Sequence, residues 1–134
     1  MAKVRWGIIG PGSIANNFAD ALVTCYSGEL KGIASRSKDR LKNFGNKYKI
    51  SESFRFSSYD DLLNSEDIDA IYISTPHTFH ADLTIKAAGK GKHILCEKPG
   101  AVNFKEGQKV IKAVHEAGVF YKEGFMYRCH PQIP

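Results

Sequence analysis

Three places in the chain combine residue types and spacings that could do chemistry. The first is Gly10-Pro11-Gly12-Ser13-Ile14-Ala15, between an apolar run and residues of helical period. In such a turn one glycine allows the tight bend and a second lets backbone approach a diphosphate. A small third residue, here Ala15, lets the helix pack on the strand. The helix that opens there offers free N–H groups and a partial positive charge to an anion. The second place is Ala34-Ser35-Arg36-Ser37, about twenty residues further on, where a carboxylate would hold a ribose 2′-hydroxyl. Ser35 stands there instead, and Arg36 can pair with a 2′-phosphate and lay its guanidinium on adenine, assisted by Arg40 one helical turn later. This pattern favours NADP over NAD. The third place is the pair of segments Ser74-Thr75-Pro76-His77-Thr78-Phe79-His80 and Cys96-Glu97-Lys98-Pro99. His77 and His80 alone are too few for a metal site, and none is expected. Lys98 keeps two readings open on chemistry alone: a group that holds or relays a proton, or a solvated surface lysine.

These residues need a scaffold, and the pattern of the whole chain supplies one. Val4 to Ile9 predicts a strand that stops at Gly10. Ile14, Phe18, Ala21, Leu22 and Cys25 recur at helical spacing, so that face is expected to seek a core. Leu30 to Ala34 and Ser53 to Phe56 predict short strands. Leu41, Phe44 and Tyr48 mark a helix between them, and a turn of helix is expected over Tyr59 to Leu63. Ala70 to Ser74 is the strongest strand pattern, ended by Thr75-Pro76, since proline cannot donate to a ladder. A largely apolar helix over residues 79 to 89 and a strand over His93 to Cys96 follow. Phe104, Gly107, Ile111 and Val114 predict one face of the longest helix, with Gly118 as its cap. Val119 to Phe125 makes a sixth strand. Strands alternating with helices imply a doubly wound α/β domain with a parallel sheet, and chemistry in such sheets gathers at the carboxyl ends of the strands.

Composition narrows the function classes. The 134 residues are 43% hydrophobic and 25% charged, with 12 glycines and 5 prolines. That suits one globular domain hiding roughly two-thirds of its unfolded surface, not a disordered or collagenous chain. Nineteen Lys and Arg against fourteen Asp and Glu leave a charge of +5. Lys86, Lys90, Lys92, Lys105, Lys109 and Lys112 spread over two expected helices as a solvated face. No nucleic-acid-binding pattern accompanies them, so no nucleic acid partner is expected. A small anionic ligand accounts for the balance equally well. Cys25, Cys96 and Cys129 form no CxxC pair and no leader precedes them, which predicts a reducing, cytoplasmic setting. No apolar run approaches the roughly 20 residues that span a bilayer, so no membrane association is expected.

The order GxGxxA, then Thr-Pro-x-x-x-His, then Glu-Lys-Pro after the fifth strand resembles the Gfo/Idh/MocA oxidoreductases. That family includes glucose–fructose oxidoreductase, inositol 2-dehydrogenase and dihydrodiol dehydrogenases. The resemblance runs from Val4 to about Pro131, and Phe125 to Pro131 resembles the segment leading out of the family's cofactor domain. It implies a Rossmann fold with Gly10, Gly12, Ser13, Ile14 and Ala15 as the pyrophosphate turn. It implies Ser35 and Arg36 at the adenosine ribose, Thr75, Pro76, His77 and His80 along the nicotinamide half, and Glu97 and Lys98 near its ribose. Lys98 would be the catalytic lysine, Arg128 would lie near the nicotinamide end, and the Lys98–Pro99 bond would be cis. Gly100 departs from the family, which commonly carries a bulky apolar residue there.

The resemblance also implies a second α+β domain that supplies the substrate pocket and oligomer interface. The expected division is therefore a cofactor domain over residues 1–126 and the start of the second domain over 127–134. The expected activity is hydride transfer between a nicotinamide and a secondary alcohol or carbonyl of a sugar, inositol or cyclic diol. The full-length protein is expected to be a homo-oligomer, and the piece alone is expected to bind NADP(H) without turnover. The alternative reading is a non-catalytic NAD(P)-binding sensor, which would need the glycine turn but not Lys98.

Overall fold

The computed structural model describes residues 1–132. Its elements are β1 (Val4–Ile9), α1 (Ser13–Val23), β2 (Gly28–Ala34), α2 (Lys38–Lys47), β3 (Arg55–Phe56) and α3 (Tyr59–Asn64). They continue with β4 (Ala70–Ile73), α4 (His80–Gly89), β5 (His93–Cys96), α5 (Phe104–Ala117) and β6 (Tyr121–Glu123). All six strands are parallel, in the order β3-β2-β1-β4-β5-β6. The chain therefore reverses its direction of winding between β1 and β4, and the crevice outside their carboxyl ends is where such folds bind ligands. This is the doubly wound Rossmann architecture that the residue pattern implies.

Alternation along the strands builds two cores. Ile8 of β1, Ile33 of β2 and Tyr72 of β4 face Ala15 and Ala19 of α1 and Phe44 of α2. Ile9, Ile71, Ile73 and Ile94 face Leu62 of α3 and Leu83 of α4 on the other side. Ile73 and its neighbours in β4 are almost wholly removed from water, and each such side chain contributes about 1.5–3 kcal/mol. Helix starts follow local chemistry. The side chains of Ser37, Ser58 and Asn103 accept backbone N–H bonds at the heads of α2, α3 and α5, and Gly118 closes α5 at φ +65°.

Several elements differ from the sequence expectation. The buried stripe of α1 is Ala15, Ala19 and Leu22, whereas Ala21 is exposed and Cys25 lies beyond the helix. Small side chains at Ala15 and Ala19 let this helix approach the sheet closely, while the expected Leu22 is buried beside them and the expected Phe18 stacks on Tyr72. In α5, Val110 is buried while Phe104 and Ile111 are 81% and 60% exposed. β3 is reduced to two residues because Glu52–Phe54 winds into a 3₁₀ turn. β2 starts earlier, at Gly28, and β6 covers only Tyr121–Glu123. A 3₁₀ turn over Met126–Cys129 follows β6. Of the segment 127–134, residues 133 and 134 lie outside the described residues. No helix among the described residues is long and apolar enough to cross a membrane.

Candidate active site

The turn after β1 is held from two sides. The Gly10 N–H donates to the Ala34 carbonyl, and the Ser74 hydroxyl donates to the Gly10 carbonyl at 2.8 Å. Gly10 has φ +93°, and a Cβ there would come within 3.0–3.1 Å of the backbone at Ser74 and Thr75. Only glycine fits without strain. Gly12 differs: a Cβ on it would meet nothing within 4 Å, because it faces the open crevice. Gly12 leads into α1 with no side-chain cap and no acidic residue in the first turn. The leading amides of α1 around Ser13 and Ile14 are thus left to an anion from outside, while Ala15 is fully buried beneath them. Open space at Gly12 and an uncapped helix head fit a dinucleotide diphosphate. The turn is braced from α2, where Lys47 and Tyr48 bond the Asn16 side chain at 2.9 and 3.0 Å.

At the end of β2, Ser35 is buried and its hydroxyl accepts the Ser37 N–H. The Arg36 guanidinium lies 5.2 Å from the ring centre of Phe79 and 5.9 Å from that of Tyr59. This aromatic pair holds the cation at the strand end before any ligand arrives. Arg40 lines a small cleft beside Pro11, Asn16 and Lys47.

β4 and β5 supply the other half of the crevice. Thr75 is buried with a hydroxyl that has no partner, and Pro76 and His77 are exposed. His77 and His80 do not converge: His80 is only 2% exposed, and both of its ring nitrogens lie on backbone carbonyls. It sits beneath the crevice rather than lining it. Among the described residues no three His, Cys, Asp or Glu side chains gather as a metal site would need. Glu97 is half-buried and accepts the Tyr72 hydroxyl at 2.5 Å. Burial and this carboxylate push the Tyr72 phenol up, so it stays a donor. Lys98 is exposed at the mouth, and the Lys98–Pro99 peptide is cis.

Behind Glu97 an apolar cavity of about 410 Å³ runs between Ile14 and Phe18 of α1 and Leu95, Phe125 and Met126. The Arg128 guanidinium lies over Phe125, one of the lining residues, 5.2 Å from its ring centre. The departure at Gly100 has a local cause. A Cβ there would collide with the Tyr121 hydroxyl, and the Gly100 N–H donates to Glu123. Reading the sequence missed Ser74, Tyr72, Tyr59, Phe79 and Glu123. Each acts through a partner distant in the chain, so only their place beside the motifs could have flagged them.

Comparison with known proteins accords with this geometry. The family model described as an oxidoreductase family with an NAD-binding Rossmann fold matches residues 4–125. The chain is 36% identical over 129 residues to a trans-1,2-dihydrobenzene-1,2-diol dehydrogenase of Xenopus tropicalis, covering 95% of this chain and 38% of that protein. It is 36% identical over 128 residues to an NADP-dependent D-xylose 1-dehydrogenase of Haloferax volcanii, covering 96% and 39%. Among solved structures, a 3-ketoreductase from Actinomadura kijaniata in complex with TDP-benzene and NADP superimposes with a TM-score of 0.90 at 33% identity. That match covers 98% of this chain and 41% of the other. The chain thus spans about two-fifths of the length of the relatives it matches. With its strand order, its glycine turn and its Glu97-Lys98-Pro99 segment accounted for, the chain belongs to the Gfo/Idh/MocA oxidoreductase family and forms its NAD-binding Rossmann domain.

Proposed function

We propose that this chain is the cofactor-binding part of an NADP-preferring oxidoreductase. Its substrate is a secondary alcohol or the matching carbonyl, carried on a sugar or a cyclic diol. The bound nicotinamide would supply the hydride chemistry. The backbone from Gly12 to Ala15 would grip the diphosphate, with Ser13 and Ile14 at the head of α1. Ser35, Arg36 and Arg40 would hold the adenosine end. Arg36 carries the NADP preference, because it is a preset cation at a position with no carboxylate to repel a 2′-phosphate. Thr75, Pro76 and His77 would run along the nicotinamide half, with Arg128 at its far end.

Lys98 would take or give the proton of the reacting oxygen, and Glu97, tied to Tyr72, would shape the wall behind it. The substrate class is supported by relatives that are named for diols, for D-xylose and for 3-ketoreduction. The observation that carries the reading is the uncapped head of α1 beside an open Gly12 at the sheet's switch point. Titrating the chain with NADPH and NADH by calorimetry tests it. NADPH is expected to bind and to bind more tightly, and a chain that binds neither nucleotide would overturn the proposal.

A further inference from the structure

His80 is the first residue of α4 and almost wholly buried. Its Nδ1 lies 2.8 Å from the Pro99 carbonyl oxygen, and its Nε2 lies 2.8 Å from the Thr75 carbonyl oxygen. Carbonyl oxygens accept and never donate, so both contacts are hydrogen bonds only when both ring nitrogens carry a proton. A neutral ring would set one bare nitrogen lone pair against an oxygen lone pair at the same distance. Burial and the amino end of α4 oppose a charge on the ring. Two charge-assisted bonds in a buried setting favour it. The ionisable side chains on the surrounding segments, His77, Asp82, Glu97, Lys98 and Glu123, make none of the ring's hydrogen bonds.

The two carbonyls belong to different turns. Thr75 follows β4 and abuts Gly10, since a Cβ on that glycine would lie 3.0 Å from the Thr75 nitrogen. Pro99 follows Lys98 after β5, and the next residue, Gly100, is anchored separately to Glu123. One imidazole therefore links the glycine-turn side of the crevice to the lysine side. We propose that His80 is a positioning residue, an imidazolium that donates to both carbonyls and holds the β4 and β5 turns at one separation. Lys98 is thereby presented to the nicotinamide half of the dinucleotide. The clamp itself stands on geometry, and its consequence for Lys98 rests on the proposed function.

Nitrogen-15 spectra of the His80 ring in the labelled chain at neutral pH test the clamp without a ligand or a variant. Two protonated ring nitrogens are expected, and one bare nitrogen would overturn it. The consequence is tested with His80→Phe, which keeps a ring of similar size but no donor. NADPH affinity is expected to fall roughly tenfold. Adenosine 2′,5′-bisphosphate, which reaches only the β1 and β2 side, should keep its affinity. An equal loss for both ligands would reduce His80 to a support of the fold and overturn the positioning role, as would no loss for NADPH. If the Phe variant fails to fold, His80→Gln, whose amide nitrogen keeps a donor, is read in the same way with a smaller loss. A parent chain that binds neither nucleotide would contradict the proposed function, while the ring spectrum would still decide the clamp.

Discussion

In the proposed reading Lys98 handles the proton and Arg36 the 2′-phosphate, so their substitutions are expected to separate cleanly. In the proposed oxidoreductase, Lys98→Met should lower kcat/KM by about 10²–10⁴-fold, the usual range for one acid–base group, with NADPH affinity little changed. Steady-state kinetics beside a binding titration checks this: full activity in the variant would rule out Lys98 as the acid–base group, and no activity in the parent would favour a dinucleotide sensor. Arg36→Ala should weaken NADPH by about 1.5–3 kcal/mol, the scale of a hydrogen bond to a charged group, and leave NADH unaffected. Calorimetry with both nucleotides reads that difference. The cysteines give a test that is independent of ligand. Cys96 is fully buried, and burial pushes its thiol up to about 12. Cys129 is exposed, and a hydrogen bond from Ser27 pulls the Cys25 thiol down. A thiol reagent at neutral pH is expected to label Cys25 and Cys129 in the native chain, and Cys96 only after unfolding.

The glycine turn and the helix it opens were legible in the residues because their geometry is local. Gly10 and Gly12 nevertheless play different parts, which their spacing alone does not separate. Gly10→Ala would force a Cβ against the Ser74 and Thr75 backbone at positive φ, at a cost of about 1–3 kcal/mol in stability. Gly12→Val should leave the melting temperature unchanged and cost NADPH roughly tenfold or more in affinity, because its side chain would fill the open space in which the proposed diphosphate lies. Thermal melts and titrations on the two variants distinguish the roles. Other elements were less legible, for physical reasons. The face of α1 is legible in part: Leu22 is buried and Phe18 packs on Tyr72, but close approach to the sheet selects Ala15 and Ala19 where the spacing points to Ile14 and Ala21. Arg36 was expected to lie on adenine, and its seat between Tyr59 and Phe79 comes from segments far along the chain. His80 was grouped with the cofactor contacts because its motif adjoins them, and its carbonyl partners become visible only when β4 and β5 lie side by side.

At the scale of the whole molecule, the proposed site lies at the carboxyl edge of the sheet and ion pairing secures the opposite edge. There Arg5 of β1 holds Asp69 at 2.8 Å and Asp67 at 3.2 Å, and Lys92 donates to the Ser65 and Ile68 carbonyls at 2.6 Å. The Arg5 guanidinium lowers the Asp69 carboxyl from its ordinary 3.8 to about 2. A carboxyl lowered on folding stabilises the native state above the unfolded value, and that contribution is lost as pH falls from about 4 towards 2. The pair is partly exposed to solvent, so its worth is at most about 1 kcal/mol. Asp69→Asn should lower stability at pH 7 by that order and make the acid limb of the unfolding profile shallower, as denaturant melts across pH would show. The central claim, that the glycine turn and Lys98 serve one bound dinucleotide, is tested most directly by a crystal structure of the chain soaked with NADPH. The diphosphate is predicted on the amides from Gly12 to Ala15, the 2′-phosphate at Arg36, and the nicotinamide ring facing the Lys98 ammonium. An empty crevice, or a bound nucleotide whose ring lies far from Lys98, would contradict the account.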